Sequence, residues 1–264
     1  MANQTTFERI EKKYLLTPAQ FEALWPILLR TMQVDQYGRH TICNIYYDTP
    51  DYALIRASLE RPVYKEKLRL RSYGVPGDDS TVFLEIKKKF KGVVYKRREA
   101  MTLAEARQYT AAGVLPGHEG QIVRELDFFL RYWQPVPKVF LAYDRIALFS
   151  TEDSELRITF DTDIRWRTGG LDLAQGDAGA PLPMDAPWLM EVKIPDAMPL
   201  WMARAFSLLG IYPVTVSKYG RCYAKCLLPR LAAQGEQRAL TGALPAAGPA
   251  ADAKTQKTGG IYCA

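Results

Sequence analysis

Hydrophobic and polar positions alternate strictly along several stretches of the chain. In Tyr64-Lys65-Glu66-Lys67-Leu68-Arg69-Leu70-Arg71 every odd position is basic, while Leu68 and Leu70 take even ones. Successive side chains of a strand point to opposite faces, so Lys65, Lys67, Arg69 and Arg71 share one face and the leucines the other. Val82-Phe83-Leu84-Glu85-Ile86-Lys87 likewise sets Val82, Leu84 and Ile86 against Glu85 and Lys87. The intervening Gly74-Val75-Pro76-Gly77-Asp78-Asp79 has strong turn composition, and the two strands read as a hairpin. The same alternation predicts strands over 7–15, 92–98, 138–149, 155–163 and 188–194. Their charged faces carry Arg9, Glu11 and Lys13; Lys96 and Arg98; Tyr143 and Arg145; Arg157, Thr159 and Asp161; and Glu191 and Lys193. An apolar and a charged face on each strand describe a sheet packed on helices through one face only.

Helical spacing is rarer. Thr17-Pro18 reads as an N-cap and first helical residue opening a helix over 18–32. Thr102 with Glu105 forms a capping box for a short helix. Helix-like apolar spacing covers 120–133 and 199–209, and a last helix is predicted from Ser217 to Leu228. Residues 168–187 read as a loop. The segment 1–231 forms one domain, and the Ala/Gly/Pro-rich stretch 232–264 has no apolar period and is predicted disordered.

Composition adds a soluble, cytoplasmic expectation. The 264 residues include 48% hydrophobic and 24% charged side chains, which excludes global disorder. No apolar run reaches the roughly 18 residues of a membrane span, and the first residues lack a signal-peptide core. Cys43, Cys222, Cys226 and Cys263 are scattered, unlike a disulfide framework, and Cys222 with Cys226 lacks the further ligands of a zinc site.

Net charge is +6, but it is unevenly placed. Residues 61–98 hold twelve Lys or Arg against four acids, a local +8, so the rest of the chain is −2. Such a patch expects an anionic partner. Glu11, Glu85 and Glu191 within the cationic face would repel phosphate in simple nucleic-acid binding. They make sense as holders of a divalent cation that bridges to phosphate oxygens, or as ion-pair partners orienting Lys and Arg. Three at the same kind of position favour the first reading. An antiparallel sheet of about eight strands closed into a barrel would turn this face into a tunnel, and so much inward charge requires water and an anion inside. No Gly-Lys dipeptide or Gly-x-Gly is present, which excludes a P-loop and a dinucleotide fingerprint. His40 and His118 lack a nucleophile motif. Phosphoryl transfer needs mainly positioning, cations and a metal, which this inventory offers.

Seven segments, in order, resemble the VTC-type polyphosphate polymerase domain, a branch of the triphosphate tunnel metalloenzyme (CYTH-like) superfamily. They are Arg9-Ile-Glu-Lys-Lys-Tyr14, Tyr46-Tyr-Asp-Thr-Pro50, Lys67-Leu-Arg-Leu-Arg71, Glu85-Ile-Lys87, Tyr143-Asp-Arg145, Glu191-Val-Lys193 and Ser217-Lys-Tyr219. Arg9 stands where the wider superfamily has the first Glu of Glu-x-Glu-x-Lys, which favours the VTC branch. The membrane helices and phosphate-sensing domain of eukaryotic VTC subunits have no counterpart in these residues.

The resemblance implies an α+β fold, an antiparallel tunnel barrel with helices packed on the outside. It implies that Lys13, Arg69, Arg71, Lys87, Arg145, Arg157 and Lys218 act on the phosphates. Lys67, Lys96, Arg98, Tyr143, Lys193, Ser217 and Tyr219 would hold substrate, and Glu191 would hold Mn2+ or Mg2+ with Glu11 and Glu85 as helpers. The expected activity is a polymerase moving the terminal phosphoryl group of ATP onto inorganic polyphosphate, with no nucleic-acid partner and no membrane span. The rivals are a tunnel tripolyphosphatase or nucleoside triphosphatase, and a non-catalytic module binding polyphosphate or RNA.

Overall fold

Ten strands, all paired antiparallel, form one sheet in a computed structural model that describes residues 10–233 apart from 61, 92, 114–116, 118, 154 and 195–196. Arg9, His118, Cys263 and the predicted tail from 234 onward lie outside the described residues. In chain order the elements are β1 (Ile10–Leu16), α1 (Pro18–Leu28), β2 (Met32–Asp48), α2 (Ala53–Leu59), β3 (Tyr64–Tyr73), β4 (Thr81–Phe90) and β5 (Val93–Thr102). Next come α3 (Leu103–Ala112), α4 (Gln121–Trp133), β6 (Val136–Ser150), β7 (Arg157–Arg167), β8 (Ala180–Pro181) and β9 (Trp188–Ile194). The chain ends with α5 (Leu200–Leu208), β10 (Pro213–Val214), α6 (Lys218–Cys222) and a π-helical stretch Tyr223–Leu227, with helical backbone running on to residue 233.

The strand order is β10-β1-β9-β7-β6-β2-β3-β4-β5, with β8 added on β7. Eight of these strands are long, as expected, but the hydrogen-bonded path ends at β10 and β5, so the ladder does not close into a barrel. The sheet instead curls until its flanks face each other: Lys87 Nζ of β4 lies 3.8 Å from Glu11 Oε1 of β1. Between the flanks runs the segment before α6, which takes hydrogen bonds from Lys13 Nζ at Val216 O (3.3 Å) and from Lys67 Nζ at Ser217 Oγ (3.1 Å). Side chains and this segment join the flanks where a ladder would have closed them.

The convex face packs as the alternation requires. Tyr14, Leu16, Ile158, Phe160, Met190 and Val192 bury against Leu24 and Leu28 of α1 and Met202 and Phe206 of α5. Cys43, Ile45, Leu68, Leu70, Val82, Leu84 and Ile86 bury against α3 and α4 through Tyr109, Leu126 and Phe129. The capping boxes at Thr17–Gln20 and Thr102–Glu105 start α1 and α3.

The concave face departs from the expectation of one covered face. Only half of it is charged. Ile42, Tyr46, Val139, Leu141, Ile164, Trp166 and Leu189 make the other half apolar, and Tyr219, Cys222, Tyr223, Cys226 and Leu227 pack on it. The last helix therefore lies within the curl rather than outside it. Tyr219 stacks on Tyr46 with ring centroids 4.8 Å apart, and its hydroxyl donates to Asp48 Oδ2 at 2.8 Å. Asp48 also accepts from the backbone N–H groups of Leu54 and Ile55, which caps α2 from the end of β2.

Candidate functional site

Strand register brings the predicted charges together. Arg69 of β3 pairs with Glu85 of β4, which pairs with Arg98 of β5; one step along, Lys67, Lys87 and Lys96 form the next row. Glu85 is 1% exposed and is held by Arg69 Nε at 2.7 Å, Lys96 Nζ at 2.7 Å and Arg71 Nε at 4.0 Å. Burial pushes its carboxyl up, but Arg69, Arg71 and Lys96 outweigh that and bring it down to about 2. Arg71 Nε also donates to Asn44 Oδ1 (2.9 Å) and its Nη2 to the Tyr143 hydroxyl (3.0 Å), while Arg69 Nη1 donates to the Tyr46 hydroxyl (3.2 Å). Both guanidiniums are thus aimed by neutral groups of β2 and β6 as well as by Glu85.

A second ionic centre sits across the interior on β7, β9, β6 and α6. Asp161 is fully buried and takes Arg145 through both oxygens, Nε at 2.6 Å and Nη2 at 2.8 Å, with Lys218 Nζ on the second oxygen. Glu191 has Lys13 Nζ at 3.3 Å, Lys218 Nζ at 3.6 Å and Arg145 Nη2 at 4.0 Å. Burial works against the charged forms of both acids, yet Lys218 with Arg145, and for Glu191 also Lys13, hold both carboxyls below their ordinary range. Lys218 enters this centre from Ser217, whose hydroxyl accepts from Gly220 N–H and starts α6. Tyr143 lies between the two centres. Burial raises its phenol, but Arg71, Arg145 and Lys218 overcome that and lower it.

The Lys67–Lys87–Lys96 row behaves differently. Like charges directly opposite each other in a sheet repel. Burial, then Lys65, Lys87 and Lys13, drive the Lys67 ammonium down to about 7. Burial also lowers Lys96, to about 8 against the pull of Glu85, and lowers Lys87. Cations in this row exceed the carboxylates available to them, and an anion would relieve the strain.

The remaining predicted residues divide. Glu11 lies 3.5 Å from Lys13, and although burial raises its carboxyl, Lys87 and Lys13 bring it below its ordinary value. Arg157 and Lys193 face each other across β7 and β9 on the charged side. Arg98 sits at the end away from α6, its guanidinium 4.2 Å above the Phe83 ring. Tyr219 turns from the cations to Asp48 and the apolar half. Asp161, Asn44 and Tyr46 complete the site without having been singled out as ligands. Asp161 had a signal, its parity with Arg157 and Thr159; Asn44 lies on a strand the alternation did not reveal.

Among the described residues no group of three His, Cys, Asp or Glu side chains converges as a metal cage, and no helix is long and apolar enough to cross a membrane. A hard divalent cation that also takes phosphate oxygens needs only one or two carboxylates. Glu191 and Glu11, on either side of Lys13, fit that donor set. Glu85 and Glu191 each have three cations within 4.0 Å, Arg69, Arg71 and Lys96 around the first and Lys13, Lys218 and Arg145 around the second. Glu11, with only Lys13 and Lys87 that near among the described residues, is the most open of the three carboxylates.

A family model described as VTC domain matches residues 8–227. No curated protein matches the sequence. Among solved structures, a candidate adenylate cyclase from Bacillus halodurans superposes with a TM-score of 0.51 at 15% identity, covering 81% of this chain and 96% of that one. A second candidate adenylate cyclase, from Vibrio parahaemolyticus, gives 0.45 at 13% identity over 83% and 98%. A candidate adenylyl cyclase from Hippeastrum, described as having a dominant triphosphatase activity, gives 0.45 at 17% identity over 80% and 93%. The first of these shows a shared fold.

Proposed function

The chain belongs to the VTC domain family, and on that premise we propose that its curled cationic face holds a phosphate chain and transfers the terminal phosphoryl group of ATP onto polyphosphate. The observation that carries this reading is the Lys67–Lys87–Lys96 row, three lysines opposite one another on adjacent strands, where burial and then the neighbouring lysines bring Lys67 down to about 7. Lys67, Lys87 and Lys96 bind the phosphate chain. Arg69 and Arg71, oriented by Glu85, Asn44 and Tyr46, neutralise charge on the transferring group. Arg145, Lys13 and Lys218 grip it from the opposite wall, held in place by Asp161 and Glu191. Arg157 and Lys193 extend the cationic wall. Mn2+ or Mg2+, held by Glu191 with Glu11, would neutralise further phosphate charge. The terminal oxygen of the chain attacks the γ-phosphorus, the bond to the β–γ bridging oxygen breaks, and ADP leaves. Cations positioned on the transferring group are the main source of rate for such a step.

The test is incubation of the purified protein with ATP and manganese or magnesium, followed by assay of long-chain polyphosphate, free phosphate and ADP. Polymer with stoichiometric ADP is expected. Free phosphate without polymer would replace the polymerase with a triphosphatase, and no turnover would leave a binding module. Lys87→Met removes a cation whose side chain is 44% exposed, so turnover should fall at least about tenfold with unfolding unchanged.

A further inference from the structure

The interior ends, on the side away from α6, in an arc of aromatic rings that the phosphate cradle does not use. Tyr37 and His40 of β2 have centroids 6.0 Å apart, His40 and Tyr73 of β3 6.1 Å, and Tyr73 and Phe83 of β4 5.8 Å. Tyr37 and Tyr73 are 67% and 54% exposed, although large aromatic surfaces gain most from burial. The register of β2 shifts between Val34 and Arg39, where Gly38 adopts φ +56° and Asp35 Oδ1 accepts from Tyr37 N–H. Bulges of this kind recur at barrel rims beside sites, where they re-aim side chains.

The arc adjoins both ionic centres. His40 sits directly opposite Arg145, and Phe83 directly opposite Arg71. Tyr73 follows Arg71 by two residues on the same face, about 7 Å along the strand. A ligand filling the arc and the cradle together carries a flat ring at one end and several negative charges at the other. Inorganic polyphosphate has no such ring. Aromatic faces take nucleobases by stacking, and a guanidinium at the rim adds to it.

We propose that Tyr37, His40 and Tyr73 receive the base of a nucleoside 5′-triphosphate, whose phosphates run inward to Arg71 and Arg145. This rests on the reading of the interior as a phosphate cradle. It adds a direction: the nucleotide enters from the aromatic end, and α6 lies at the far side.

Calorimetric titration of ATP and of inorganic tripolyphosphate, each with excess magnesium, separates the two ideas. Tyr73→Ala and His40→Ala should each weaken ATP about tenfold and leave tripolyphosphate within about twofold, while Tyr73→Trp should retain ATP affinity. Equal losses for both ligands, or no loss for ATP, would overturn the aromatic assignment while leaving the cradle standing. Failure of the unaltered protein to bind either ligand would overturn both. Tyr73 and His40 lie at the open end of the sheet, and matching thermal unfolding of the variants verifies that the fold is retained.

Discussion

Glu85→Gln isolates the buried carboxylate on which one wall of the site depends. The carboxyl lies at about 2 instead of its ordinary 4.5, because Arg69, Arg71 and Lys96 outweigh its burial. At about 1.4 kcal/mol per unit, that displacement corresponds to about 3 kcal/mol of stability at pH 7. Removing one member of a buried ion pair costs about 3–5 kcal/mol, so two independent routes agree. A group whose carboxyl is held low in the folded protein contributes above its unfolded value and loses that contribution as pH falls through its folded one. The advantage of the unaltered protein is therefore complete above about pH 5, about half gone at pH 3 and nearly absent by pH 2. Urea unfolding followed by circular dichroism measures it: with a slope of about 3 kcal/mol per molar, the midpoint at pH 7 should drop by about 1 M. A deficit below about 1 kcal/mol at pH 7, or one that stays undiminished at pH 3, would refute the argument.

Two further outcomes follow from the same interior. Lys67 is held at about 7 by burial and by Lys65, Lys87 and Lys13, and a bound polyanion restores its proton. Tripolyphosphate binding at pH 8 should therefore take up protons, seen as a dependence of calorimetric heat on buffer ionisation enthalpy. Affinity should fall as pH rises from 7 to 9, and Lys67→Met should abolish much of the uptake. Tyr219→Phe removes the donor to buried Asp48 and should destabilise by about 1–3 kcal/mol, lowering the thermal midpoint by roughly 2–4 °C per kcal/mol.

Alternation made the charged strands legible because β1, β3, β4, β6, β7 and β9 each set apolar residues on the convex face against charged ones along part of the concave face, while β5 shows its pattern through Lys96 and Arg98 alone. It failed on β2. Residues Ile42 to Asp48 are buried on both faces, since α3 and α4 cover one side and α6 the other, and Asn44 and Asp48 are inside. Ahead of them the bulge at 35–38 breaks the period. The predicted helix over 18–32 runs past the end of α1 at Leu28, because Leu29, Arg30 and Thr31 carry no glycine or proline to mark the stop. α2 carries no side-chain cap of its own; its first turn is satisfied by Asp48, several residues upstream. The helices with capping boxes or clear apolar spacing, α1, α3, α4 and α5, were legible for that reason. Placement of α6 inside the curl was not, because an apolar stripe on a helix does not say which face of a sheet it will cover.

The pairing of β1 with β9 carries a kinetic consequence. Lys13 and Glu191 stand opposite each other although 178 residues separate them in the chain. The β3–β4–β5 meander needs only short loops, and its cationic surface can form early. Contacts of long sequence separation form slowly, because loop closure must precede the gain. A partly folded chain would thus present the basic hairpins to any polyanion before the opposite wall of Asp161, Glu191 and Lys218 exists. Selectivity among polyanions arrives with the last ladder to zip, so discrimination between them, rather than affinity, is the signature of a completed fold.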